Sequence, residues 1–123
     1  MGGLLVGAVS PGLAAFPELL GGDPEGMLAP VQWHPDLRYP VDLGPEEVPL
    51  DDYVAAQAYA AALVAERCLE LRPDDPLAAA RALRVTTFFG RFQLAESGLQ
   101  VGHRLAVVQW RRGRRQLLVA EAA

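Results

Sequence analysis

Among the 123 residues there is no lysine, no isoleucine and no asparagine, and all 11 basic residues are arginine. The missing three have AT-rich codons, while the abundant alanine, leucine, glycine and proline have mostly GC-rich ones. The pattern is that of a GC-rich bacterial genome, and it accounts for the lack of asparagine without heat adaptation. A single cysteine, Cys68, excludes an internal disulfide. It sits beside Arg67 in an Ala-rich helical pattern and reads as a small buried apolar residue; a reactive thiol would need an exposed electropositive niche. The two histidines, His34 and His103, lie far apart, and no cysteine or carboxylate cluster stands at ligand spacing, which argues against a zinc site. Only two serines occur, Ser10 and Ser97, neither in a G-x-S-x-G elbow. Gly2, Gly3 and Gly7 form neither a dinucleotide fingerprint nor a phosphate-binding loop. No constellation therefore points to an enzyme, and no cofactor is implied.

Long apolar runs are also lacking. None reaches the roughly 18 residues needed to span a bilayer, so no membrane insertion is expected. The N-terminal run from Leu4 has no basic residue before it and makes a poor signal peptide, which as written places the chain in the cytoplasm. Val6 stands where a myristoylation signal needs serine or threonine.

What is present is a core-forming chain the size of one domain, 51% hydrophobic and 21% charged. The net charge of −4 points away from nucleic acid as a partner. The basic cluster Arg111 to Arg115 has no aromatic platform and reads as a solvated hairpin tip around Gly113.

Along the chain, Leu4–Val9 is a continuous apolar run, hence a strand buried on both faces, closed by Ser10-Pro11-Gly12. Pro17–Leu20 is a short helix stopped by Gly21-Gly22, and Asp23-Pro24-Glu25-Gly26 is a turn. Met27–Gln32 is a second strand, pushed to an edge by Pro30. Strand, helix, strand reads as a βαβ unit and so as part of a parallel sheet. Trp33–Leu50 is a Pro-rich connection without a period. Asp51–Leu71 is the strongest helix, with Asp51 and Asp52 at its N-terminus and an apolar stripe at Val54, Ala58, Ala61, Ala62, Ala65, Cys68 and Leu69. Asp75 caps a second helix with Pro76 at its first position, running to about Leu83. Phe88–Leu94, His103–Trp110 and Gln116–Ala120 complete a C-terminal β meander, with a turn at Glu96-Ser97-Gly98. Leu105–Trp110 is apolar on nearly every residue, which implies burial on both faces.

Two loops following buried strands are the candidate ligand walls, since open α/β sheets bind ligands at the carboxyl ends of their strands. One is Ser10-Pro11-Gly12; the other is Gln32-Trp33-His34, where Trp33 could stack on a small ligand.

The stretch "LLVGAVSPGLAAFPELLGGDPEGMLAPVQWHPD", the Ala-rich "DYVAAQAYAAALVAERCLEL" and the closing "TTFFGRFQLAESGLQVGHRLAVVQW" together resemble the C-terminal third of a type I periplasmic solute-binding protein. The class is that of the branched-chain amino acid and amide ABC transporters, the leucine-binding-protein-like proteins. The resemblance implies an α/β chain with a partial periplasmic-binding-protein type I fold: a βαβ unit, a long Ala-rich helix with a second helix, and a C-terminal β meander. Residues 1–31 and 105–123 would belong to one lobe and 32–104 to the other, with a ligand closed between lobes and Leu105–Trp110 as a crossing strand. "RYPVDLGPEEVPL" stands where the family carries a helix and is too short for one, which implies a deletion.

Under this resemblance the chain is a solute-binding-protein-like module related to uptake of amino acids or amides, truncated and weak or inactive alone. Its ligand-binding candidates are Ser10, Gln32 and Trp33. Its partners would be a small polar solute and an ABC transporter permease, in the periplasm or outside the cell. An alternative of another class is a small cytoplasmic interaction or regulatory module that reuses the fold and acts by self-association, as a homo-oligomer.

Overall fold

The computed structural model describes residues 12–119. Eight elements follow in order: α1 (Phe16–Leu20), β1 (Leu28–Val31), α2 (Tyr53–Leu71), α3 (Pro76–Ala82), β2 (Arg84–Thr87), β3 (Gly90–Gln93), β4 (Ala106–Arg111) and β5 (Arg114–Val119). The fold is mixed α/β. The expected first strand, Leu4–Val9, lies outside the described residues.

The chain divides into two compact units. One comprises the described parts of Met1–Leu37 and Leu105–Ala123, with Asp51–Tyr53; the other comprises Arg38–Leu50 and Val54–Arg104.

The first unit is built on a three-stranded sheet in the order β1-β4-β5. Both ladders are antiparallel, so the parallel pairing expected from a βαβ reading is not what joins the described strands. The neighbour of β1 is β4, a strand distant in sequence, and local strand–helix–strand order carries no information about such a partner. Among the described strands β1 stands at the end of the sheet order, on whose outer side the missing N–H of Pro30 costs no ladder bond. The register places Ala29, Val31, Ala106, Val108 and Trp110 on one face, all buried. On the other face of β4, Val107 is half-buried and Gln109 is buried. The second face of β4 is thus covered in part, and Gln109 tolerates burial there because its amide donates to the Gly26 carbonyl at 3.0 Å.

α1 is short because Gly21 takes the left-handed conformation and donates its N–H to Pro17, closing the last turn. Phe16 is its one buried residue and meets Trp110 with ring centroids 6.4 Å apart. The Asp23–Gly26 turn is tied to the end of β4. Gly26 N–H donates to Trp110, Trp110 N–H to Met27, and Arg112 N–H to the Glu25 carboxylate. The β4–β5 connection is the two-residue loop Arg112-Gly113, with φ of 52° and 75° as a type I′ turn requires.

In the second unit β2 and β3 form a separate antiparallel hairpin. This corrects the expected meander. Phe88 and Phe89 are the hairpin loop rather than the start of a strand, and the unforeseen strand Arg84–Thr87 precedes them. Two buried phenylalanines in a tight loop defeat any rule that expects polar turns. Here Thr87 Oγ1 accepts from Phe89 N–H at 3.1 Å, and the Phe88 ring meets Tyr59 edge-on. The Pro-rich connection has no helix or strand, yet it is anchored. Asp42 exchanges bonds with Thr86 through Asp42 N–H to Thr86 O and Thr86 N–H to Asp42 Oδ1, and Leu43 is buried.

α3 begins as expected, with Asp75 Oδ1 accepting from Ala78 N–H. The long helix is oriented differently from the sequence reading. Its buried residues are Ala56, Ala60 and Cys68, whereas Val54, Ala58, Ala61, Ala62, Ala65 and Leu69 are exposed. α2 is apolar nearly all round, so periodicity marks two faces and cannot say which one turns inward.

The segment after β3 is stitched by one side chain. Gln100 accepts from the N–H of Gln93 and of Gly102 and donates to Arg91 O. His103 then stacks on Phe89, centroids 4.7 Å apart and planes 14° apart. Its ring lies where a side chain on Gly90 would stand: a β-carbon there would come 3.0 Å from His103 Nδ1, at a φ of 131°.

Gly90→Ala is therefore expected to lower stability by about 1–3 kcal/mol, from backbone strain and displacement of His103, read from the urea unfolding midpoint. Burial holds the Cys68 thiol above its ordinary value. Its reaction with a disulfide reagent at pH 8 should be at least about tenfold slower in the folded chain than in denaturant.

Candidate functional site

The strand β5 carries an arginine on its buried side. Arg115 pairs with Trp110 across the ladder, so both side chains stand on the face that also holds Val108. A guanidinium cannot enter such a place without partners for its donors. Arg115 finds them in backbone carbonyls and one carboxylate. Nη1 donates to Gly12 O at 2.8 Å, and Nη2 donates to Asp51 O at 2.6 Å and to Asp51 Oδ1 at 2.8 Å. Its side chain is 4% exposed while that of Asp51 is 77% exposed, so the pair is a buried cation meeting a solvated anion. The basic cluster is accordingly not a uniform solvated tip: Arg115 is drawn inward while Arg111, Arg112 and Arg114 stay exposed. Asp51, expected with Asp52 at the N-terminus of the long helix, lies ahead of its first residue Tyr53 and turns its carboxylate to Arg115.

The backbone of the same residue anchors His34. Nδ1 of His34 accepts from Asp36 N–H at 3.1 Å, which leaves Nε2 as the protonated nitrogen, donating to Arg115 O at 3.0 Å. This buried ring is fully used and fixes the course of the chain after β1. Immediately before it, Trp33 is 3% exposed and Gln32 is half-buried. Gly12, at the other end of the network, lies so close to β1 that a β-carbon would come 2.7 Å from Val31 Cγ1.

Of the three candidate residues, Ser10 lies outside the described residues; Gln32 and Trp33 lead into His34. The residues that gather this region, Arg115, Asp51 and His34, are distant in sequence, and Arg115 in particular is hidden by its place in a run of arginines. The available signal was period two along β5: Arg115 and Leu117 fall on the face opposite Arg114 and Gln116. Among the described residues no three histidine, cysteine, aspartate or glutamate side chains gather as metal ligands would, and no helix is long and apolar enough to cross a membrane.

No protein-family model, no curated protein and no solved structure matches the chain.

Replacing Arg115 by methionine keeps much of the volume but leaves two carbonyls and the Asp51 carboxylate without their donor. The expected loss is about 3 kcal/mol. The same change at exposed Arg114 should stay within about 0.5 kcal/mol. Urea unfolding of the two variants beside the parent chain measures both.

Proposed function

We propose that this chain is a solute-binding-protein-like module for a small polar solute of the amino acid or amide class, and that it binds weakly by itself. The observation that carries the reading is the convergence on Arg115 of the two loops nominated as ligand walls. Its guanidinium holds Gly12, the residue after Ser10 and Pro11, and its carbonyl holds His34, the residue after Gln32 and Trp33. One buried residue thus sets the positions of both loop ends within the first unit. A preformed loop scaffold of this kind lowers the ordering cost of binding, because its backbone is fixed before a ligand arrives.

The composition of the two loops is what the reading needs: Ser10 and Gln32 are polar and uncharged, and Trp33 is aromatic. The family reading places the permease of an uptake system as the downstream partner, which belongs to the same proposal.

A panel of amino acids and amides tests the reading. Calorimetry at micromolar protein should show no saturable heat, whereas 15N–1H spectra at tens of millimolar solute (of order 4 kcal/mol and weaker binding) should shift the amides of Gln32, Trp33 and His34. Absence of localised shifts for every member of the panel would sink the solute-binding reading. Micromolar calorimetric binding would instead overturn the claim that the chain is weak alone.

A further inference from the structure

The tip of the β4–β5 hairpin carries an arrangement that neither the core nor the loops at Arg115 uses. Arg111 and Arg114 are partners across the ladder, flank the Arg112-Gly113 turn and are both exposed. Ladder partners stand on the same face with their β-carbons about 5 Å apart, so two positive charges are set directly opposite each other, which destabilises a hairpin left to itself. Among the described residues no carboxylate pairs with either guanidinium. The Glu25 carboxylate reaches this turn, but it accepts from the backbone N–H of Arg112 at 2.8 Å.

Arg111 is also held in place. Its Nε donates to Gln109 Oε1 at 2.8 Å, and the Gln109 amide donates in turn to Gly26 O at 3.0 Å. Gln109 is buried and lies two positions before Arg111, on the same face of β4. A buried amide thus orients an exposed guanidinium, and part of the ordering cost of binding is met before a ligand arrives. With Nε engaged, the remaining donors of Arg111 are on its two Nη groups, which match two oxygens of one anion. Gln116, the ladder partner of Gln109, is exposed next to Arg114 on this face and adds an uncharged donor and acceptor.

We propose that Arg111 and Arg114 form a clamp for a phosphomonoester dianion. Two positive charges fixed on one face match a group that carries about −1.5 to −2 near neutral pH and presents three acceptor oxygens. A carboxylate has one charge and two oxygens, and would leave one guanidinium unmatched. The bound dianion also removes the repulsion between the two arginines. Because the face is open to solvent, the affinity is modest, with a Kd on the order of 1–10 mM. This face is opposite the one that holds Arg115, so the clamp stands independently of solute binding.

Phenyl phosphate titrated into the full chain at constant ionic strength and about pH 8 should give saturable 15N–1H shifts at Arg111 and Arg114, while acetate should bind at least about tenfold more weakly. Arg111→Gln and Arg114→Gln should each weaken phenyl phosphate at least about tenfold. Arg112→Asn removes the same charge from the turn, keeps a residue suited to positive φ, and should weaken it less than about threefold. Vesicles of phosphatidylcholine containing phosphatidic acid separate the two sources of such a group. Retention on them that is lost in Arg114→Gln makes a lipid headgroup the ligand; phenyl phosphate binding without retention makes it a free phosphate ester. The proposal is overturned if phenyl phosphate gives no saturable shift, if acetate binds equally well, or if Arg112→Asn weakens binding as much as Arg114→Gln, since the last result would reduce the clamp to diffuse charge.

Discussion

The first unit depends on one buried guanidinium. Arg115 stands on the inner face of β5 beside Trp110, where its side chain is almost wholly withdrawn from water. The cost of bringing that charge inside is met only if carbonyls and a carboxylate come to it. Three segments supply or share those bonds: the loop at Gly12, the chain at Asp51, and the turn at His34, which uses the carbonyl of the same residue. The result is a fixed arrangement of loops with little regular structure of their own. Hydrophobic packing of Phe16, Ala29, Val31, Val108 and Trp110 supplies the bulk of the core. It is the polar network that assigns each loop its place, because hydrogen bonds are directional and apolar contact is not.

The same division of labour recurs in the second unit. The Pro-rich connection has no ladder, yet Asp42 on Thr86 holds it to β2. The stretch between β3 and β4 has one isolated bridge, and Gln100 stands in for the rest of a strand by satisfying backbone groups of Arg91, Gln93 and Gly102. In both places a side chain replaces regular pairing, which lets irregular chain run without stranded polar groups.

These features bear on function in different ways. The loops tied to Arg115 form a scaffold suited to presenting the side chains on either side of their anchor points. α2 offers the opposite kind of surface, broad, apolar and without directional groups across its middle. A surface of that composition gains from being covered and contributes little to discrimination among small polar solutes.

How much was legible in the chain varies by element. Local chemistry determined α1 and its glycine stop, the Asp23–Gly26 turn, the Asp75 cap of α3 and the Arg112-Gly113 hairpin loop. Each is decided by residues within a few positions of one another. Composition and period also marked β1, β4 and α2 as elements, and Pro30 as an edge residue. Tertiary structure alone decided the rest. The antiparallel partner of β1 comes from the far end of the chain. The Phe88-Phe89 loop is permitted by burial that no local rule foresees. The inward face of α2 was chosen between two apolar sides by what packs on it. Arg115, one arginine in a cluster, became the centre of a polar network because strand pairing turned it inward and distant carbonyls could reach it. Sequence by itself records which residues can be buried or can turn; which of them meet is settled by long-range packing and by the need to satisfy every buried polar group.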